Sequence, residues 1–363
     1  MDRRSVLTGA AGLAVGAATF AKPAIAQGKR ELKMVTTWPK NFPGLGTGAQ
    51  RFADRITKAS DGKLTVKVFA AGELVPAFES FDAVSQGTAD MYHGADYYWK
   101  GKSQAYNFFA SVPFGLTANE MDAWIHHSGG QELWDELGSQ FGIKHLLCGN
   151  TGVQWGGWFT KEINSLEDMK GLKMRMPGLG GDVLNKIGAN ALALPGGEIY
   201  PALQSGAIDA TEWVGPWNDL AFGFYKVAKY YYYPGFHEPG SSLGVGINSK
   251  VWEGFSESEK ALVQDAATAE NNYLYAEFNA RNGAALETLV TKHGVQIKKT
   301  ADDILNAMGE ASGQVMADVA NTDKITRKVY DSFVSFRKNA IAMGKYADEA
   351  YAKARRLPFK YGG

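Results

Sequence analysis

The chain has 363 residues, 45% hydrophobic and 21% charged, too many for one small domain and too apolar for a disordered chain. Its 38 basic and 38 acidic residues cancel, which removes the electrostatic footprint of a nucleic-acid binder, so no nucleic-acid partner is expected. A single Cys148 and 6 His cannot build a disulfide framework or a structural zinc cluster, while 19 Phe, 16 Tyr and 9 Trp point to aromatic-lined pockets.

Residues 1–26, MDRRSVLTGAAGLAVGAATFAKPAIA, join Arg3 and Arg4 to a weakly apolar stretch from Val6 to Ala21 and close on Ala24-Ile25-Ala26. That pattern predicts an export signal cut after Ala26, and the arginine pair favours the twin-arginine route. The apolar stretch, about 16 residues, falls short of the roughly 20 that cross a bilayer. No later run approaches membrane length, so the expected location is the periplasm. Cys148, in the apolar run His145 to Gly149, reads as packing in a buried strand.

Glu31 to Trp38 reads as a strand, Thr47 to Ser60 as a helix, Leu64 to Phe69 as a strand, and 77–86 as a helix before a third strand that opens at Gly87–Asp90. This βαβαβ order begins an open α/β domain. Thr117 and Glu120 form a capping box for a helix toward Gly138, followed by a strand from Ile143. The pattern restarts near 150, with strands at Leu172–Met176 and Ala191–Leu194 and a helix at 198–204. After Lys250 helices dominate: one from the Ser256–Glu259 cap to His293, one capped by Thr300–Asp303, and one from Thr322 to Leu357. The expected fold is α/β and two-lobed, with a cleft between the lobes and a long helical C-terminal extension. Lobe I is 27–150, completed by about 240–300; lobe II is 151–239; residues 301–363 form the terminal helices.

Enzyme signatures are thin. There is no nucleophile elbow and no P-loop, and Gly44-Leu-Gly-Thr-Gly48 lacks the spacing of a dinucleotide fingerprint. Arg175 stands out, a permanent charge in the apolar strand Leu172-Lys-Met-Arg-Met-Pro177. An interior strand excludes Arg unless a partner meets the guanidinium. That partner is either a structural Asp or Glu or the carboxylate of a ligand, held by the planar fork. Gln154, Glu212 and Trp213 also lie where strands run out toward a cleft between lobes, where ligands of open α/β sheets sit. An amide and a carboxylate beside such an anion site suit a hard cation, Na⁺ or Ca²⁺. Phe42, His93, Tyr97 and Tyr98 are candidates for the pocket wall.

The export signal, the Leu172–Pro177 strand, Tyr200-Pro-Ala-Leu-Gln-Ser-Gly-Ala-Ile-Asp209 and Glu212-Trp213 together resemble the solute-binding proteins of TRAP transporters, the DctP-type family, over the whole mature chain. The run Tyr230 to Tyr233 with Pro234-Gly-Phe-His-Glu238 is similar to the branch that binds 2-oxo or 2-hydroxy acids with a metal ion. The resemblance implies a two-lobed periplasmic binding protein fold in which Arg175 grips the ligand carboxylate. It also implies that Gln154, Glu212, the Trp213 carbonyl and Glu238 hold the cation, and that the membrane permease subunits are partners. The rival classes are a lyase-like periplasmic enzyme acting on a small carboxylate, with Glu212 as its acid or base, and a ligand sensor for signalling.

Ile325, Val329, Phe333, Phe336, Ala340, Met343, Ala347, Ala350 and Ala354 recur at steps of four and three along the last helix, 322–357. At the standard rise such a helix measures about 50 Å and overshoots a lobe about 40 Å across. It either braces its own two lobes or, as the resemblance implies, is swapped between the copies of a homodimer.

Overall fold

Apolar and β-branched residues in three early segments build the first sheet. In the computed structural model, which describes residues 29–362, β1 (Arg30–Thr36) lies between β2 (Leu64–Phe69) and β3 (Met91–Gly94), all parallel. The export signal expected over 1–26 lies outside the described residues. The crossovers are α1 (Leu45–Ala59) and α2 (Ser80–Ser85), the latter entered through a 3₁₀ turn at Ala77–Glu79, so the expected βαβαβ order is present. The glycines at 46 and 48 let α1 sit close to its neighbours: a Cβ on Gly46 would lie 2.7 Å from the Pro39 carbonyl, and one on Gly48 3.0 Å from Glu270 Oε1.

The Thr117–Glu120 capping box starts α3 (Ala118–His127), but the helix does not continue to Gly138 as expected. Gly129, at φ 82°, turns the chain left-handed, and α4 (Gly130–Ser139) begins anew before β4 (Ile143–Asn150).

The second sheet collects β5 (Gly157–Phe159) and β6 (Lys173–Arg175), then β7 (Asn190–Leu192) after α5 (Gly178–Lys186). It adds β8 (Ala210–Thr211) after α6 (Gly196–Ser205), and β9 (Tyr230–Tyr233) after α7 (Pro216–Phe222). The chain then returns to the first sheet as β10 (Ser242–Asn248), passes through α8 (Ser249–Glu253) and α9 (Glu257–His293), and adds β11 (Gln296–Lys299) to the second. The orders are β2-β1-β3-β10-β4 and β11-β9-β5-β8-β6-β7. Residues 296–299 therefore belong to the second sheet, contrary to the assignment of 240–300 to the first lobe. Each sheet holds one strand antiparallel to both its neighbours, β5 in the second and β10 in the first, each entered after the chain crosses from the other sheet.

Alternation along the strands divides the interior into two apolar cores, each running through both lobes. Val35 and Tyr92 join Trp124, Trp134, Met174 and Met176 in one, while Met34 and Met91 join Phe52, Trp213, Tyr231 and Leu274 in the other. The 37-residue α9 packs on β4, α1 and α7 and so ties the first sheet to the second. Cys148 is fully buried in β4, as packing requires.

Two terminal expectations need correction. Thr300 does not cap α10 (Asp302–Ala320): its N–H donates to the Tyr233 carbonyl at 2.9 Å, extending the strand pairing, and Ala301 is the N-cap. The stretch 322–357 is not one helix but α11 (Lys324–Gly344) and α12 (Asp348–Ala354), with Ala347 at φ −109°, ψ −107° between them. Gly344 weakens the first helix, and Asp348 and Glu349 favour a new N-terminus. Among the described residues no helix is long and apolar enough to cross a membrane.

Candidate functional site

The two segments that carry the chain between sheets run antiparallel beside each other. Thr151 N donates to Ser241 O, Gln154 N to Glu238 O, and Gly235 N to Gln154 O, each at 3.0 Å. This short ladder brings Gln154 and Glu238 face to face. Gln154 Nε2 donates to Glu238 Oε2 at 2.7 Å and to Thr151 Oγ1 at 3.1 Å, while its Oε1 is buried without a hydrogen-bond partner.

The second part of the site comes from β6 and β8, whose ladder sets Arg175 beside Thr211. One residue further on, Glu212 meets the guanidinium. Arg175 is 1% exposed, so every one of its donors needs a protein or ligand acceptor. Nη1 donates to the Glu212 carboxylate and, at 3.3 Å, to the Glu212 carbonyl; Nε donates to Leu194 O at 3.2 Å; Nη2 lies 3.4 Å from the Tyr98 hydroxyl. The guanidinium also lies 5.1 Å from the Trp213 ring, a cation–π contact.

Glu212 Oε2 is 3.3 Å from His237 Nε2, and ligand-capable atoms of Glu212, His237 and Glu238 all fall within 4.8 Å of one another. All three side chains are buried. Burial, with the Glu212 charge nearby, pushes the Glu238 carboxyl up to about 7. Burial disfavours the charge on Arg175, and the adjacent Glu212 carboxylate outweighs it, so the guanidinium is held above its ordinary range. The guanidinium bonds to Glu212, while Glu238 lies beside Glu212 and bonds to Gln154. With the unpartnered Gln154 oxygen, the two carboxyl groups form a set of oxygen donors, which fits a hard cation.

Trp38, Tyr97, Tyr98, Gln154, Trp213 and Ser241 line a small cavity here, of about 10 Å³, room for about one water molecule.

Seven of the residues singled out in the sequence meet at this place: Arg175, Gln154, Glu212, Trp213, Glu238, Tyr97 and Tyr98. Phe42 and His93 stand one layer behind. The Phe42 ring packs edge-on to Trp213 and lies 4.3 Å from Phe222 between centroids. His93 Nδ1 accepts from Trp38 Nε1 at 2.7 Å, and burial lowers the imidazole pKa to about 4, keeping it a neutral acceptor. Trp38, His237 and Ser241 were not anticipated. Trp38 lies where β1 runs out toward the cleft, the same positional signal that marks Trp213, and the other two flank Glu238 on the crossing segment.

The family model described as bacterial extracellular solute-binding protein, family 7 (DctP), matches residues 34–323. The chain belongs to this family. As a family 7 protein it is 40% identical to a monocarboxylate 2-oxoacid-binding periplasmic protein of Nostoc sp., over 88% of this chain and 87% of that one. It is similar to a TRAP periplasmic solute-binding protein of Pseudoalteromonas atlantica solved with sodium and pyruvate, with TM-score 0.87, 39% identity, and coverage of 92% of this chain and 100% of that one. A TRAP transporter solute-binding protein of Bordetella bronchiseptica, a mixed-occupancy dimer with copurified calcium and picolinate, aligns with TM-score 0.88 and 35% identity over 90% of this chain and 97% of that one.

Proposed function

We propose that this family 7 protein is the periplasmic receptor of a TRAP transporter. It binds a small 2-oxo or 2-hydroxy monocarboxylate, of the pyruvate or lactate kind, together with Na⁺ or Ca²⁺, and delivers it to the membrane permease subunits. One observation carries the reading: a fully buried guanidinium at a strand end, beside a small cavity, with two carboxylates close enough to repel any incoming anion. A cation removes that repulsion. Gln154 Oε1, the Glu212 and Glu238 carboxylates and the Trp213 backbone carbonyl are its ligands in this reading, and Arg175 and Tyr98 meet the acid. The pyruvate, sodium, calcium and picolinate of the similar proteins support the same ligand classes.

Receptor chemistry is capture and release, for which the site's charges and shape suffice. A second copy of the chain is also part of the reading, and the dimeric Bordetella relative supports it. The test is a thermal-shift screen of small monocarboxylates on dialysed protein with and without Na⁺ and Ca²⁺. Pyruvate or lactate should raise the melting temperature only when a cation is present, because a ligand bound by the folded state alone stabilises it. No shift from any monocarboxylate with either ion would overturn the proposal.

A further inference from the structure

His237 stands beside both carboxylates of the site, and its ring is 2% exposed. Its Nε2 faces Glu212 Oε2 at 3.3 Å. A ring nitrogen that close to a carboxylate oxygen carries the hydrogen, because two facing lone pairs would repel. The other oxygen, Oε1, accepts from Arg175 Nη1. Each carboxylate oxygen of Glu212 therefore already serves a protein donor, whereas Gln154 Oε1 has none.

We infer that His237 is a positioning residue that sets which cation the site takes, by holding Glu212 Oε2 so that Glu212 meets the ion through a single oxygen. The inference rests on the receptor reading above. Two effects act in one direction. Calcium takes six to eight oxygen ligands and gains from carboxylates that chelate through both oxygens, which a Glu212 tied at Oε2 does not offer. The N–H also draws charge from the carboxylate, and a divalent ion loses more than a monovalent one when an anionic ligand is weakened. His237 thus tilts the site toward sodium. Imidazole is a poor ligand for either hard cation, so its influence runs through Glu212.

The experiment measures sodium and calcium affinities separately, by titration calorimetry on dialysed protein at fixed pH with saturating pyruvate. His237→Leu should raise the ratio of calcium to sodium affinity by about tenfold, the scale of one hydrogen bond to a charged group. His237→Gln, which keeps an N–H donor, should bring the ratio back toward that of the unmodified protein. If His237→Leu does not fold, His237→Asn, polar but too short to reach Glu212, should shift the ratio the same way. A ratio that stays put in folded, pyruvate-binding variants overturns the role of His237 while leaving the receptor reading intact. An unmodified protein that binds pyruvate with neither ion overturns both.

Discussion

Arg175 Nη1 donates to the carboxylate of Glu212 inside the protein, with both side chains out of contact with solvent. In the proposed function each is the group that one of the two ligands needs. An acid that takes the guanidinium competes with Glu212, and a cation that draws Glu212 toward itself frees the guanidinium. The acid and the cation should therefore bind with positive coupling, and the coupling must be reciprocal. Pyruvate affinity is expected to fall by about tenfold or more, roughly 1.4 kcal/mol, when sodium and calcium are both removed. Equal calorimetric affinity in chelator-treated, sodium-free buffer would count against the coupling.

The same pair separates charge from shape at position 175. Arg175→Lys keeps the charge, so Glu212 is not left as a buried unpaired anion and the fold should survive. What is lost is the planar fork that reaches Glu212, Leu194 and Tyr98 together. Acid binding is expected to weaken by about 1.5–3 kcal/mol, the value of a hydrogen bond to a charged group. A melting curve near that of the unmodified protein, with calorimetry showing weaker binding, is the expected pair of results; undiminished binding would remove Arg175 from the site.

Arg175 was legible because an arginine in an apolar strand has few explanations, and its neighbours Glu212 and Trp213 followed from their place at a strand end together with the family resemblance. The interior strand β10 was not legible. Its Gly244 and Gly246 lower strand propensity, and the reason for them is tertiary: a Cβ on Gly246 would lie 2.1 Å from the Tyr92 ring, and one on Gly244 3.1 Å from Trp134. His237 and Ser241 escaped for a related reason. They sit on a crossing segment with no periodicity, and only its ladder with residues 151–154 brings Ser241 to the cavity and His237 beside Glu212. Phe42 and His93 were expected in the pocket wall and stand behind Trp213 and Trp38, because whether an aromatic faces the cavity or backs the residue that does is decided by packing between elements.

A buried carboxyl outside the cavity wall should leave its mark on the pH dependence of stability. Asp219 Oδ1 accepts from the Val214 and Gly215 N–H groups, and Oδ2 from Trp158 Nε1 at 2.9 Å and the Tyr231 hydroxyl at 2.7 Å. Burial pushes its pKa up to about 7 against the pull of those donors. The folded chain then holds a proton that the unfolded chain releases near pH 4, so this contribution is full below about pH 4 and is lost as pH rises through about 7. His145 acts in the opposite sense: burial lowers its pKa to about 3, and its contribution is lost as pH falls from about 6.5. Asp219→Asn removes only the first. Urea midpoints from pH 4 to 8 should show the variant gaining on the unmodified protein as pH rises to about 7, whereas a constant offset would contradict the raised pKa.

The amphipathic stripe of the C-terminal region divides inside α11. Its first half is core: Phe333 is fully buried, 5.4 Å from Phe108 and 5.3 Å from Trp124 between ring centroids, and Val329 is equally enclosed. Phe333→Ala should cost about 3–5 kcal/mol in stability, and an aspartate there more, so such variants report on folding and not on assembly. Beyond that first half Met343 of the stripe is 64% exposed, and Ile341, Tyr346 and Tyr351 beside it are 43%, 76% and 68% exposed. Scattered surface apolar residues are ordinary, but these four follow one another along a single segment, and in the proposed dimer a second copy covers them through a self-complementary contact about a two-fold axis. Met343→Asp combined with Tyr346→Asp should then leave the melting temperature of the ligand-bound protein nearly unchanged and convert a dimer into a monomer by light scattering at micromolar concentration. Phe333→Ala should melt earlier without that selective change in mass. Unmodified protein that scatters as a monomer at the same concentration would show that this face meets no second copy.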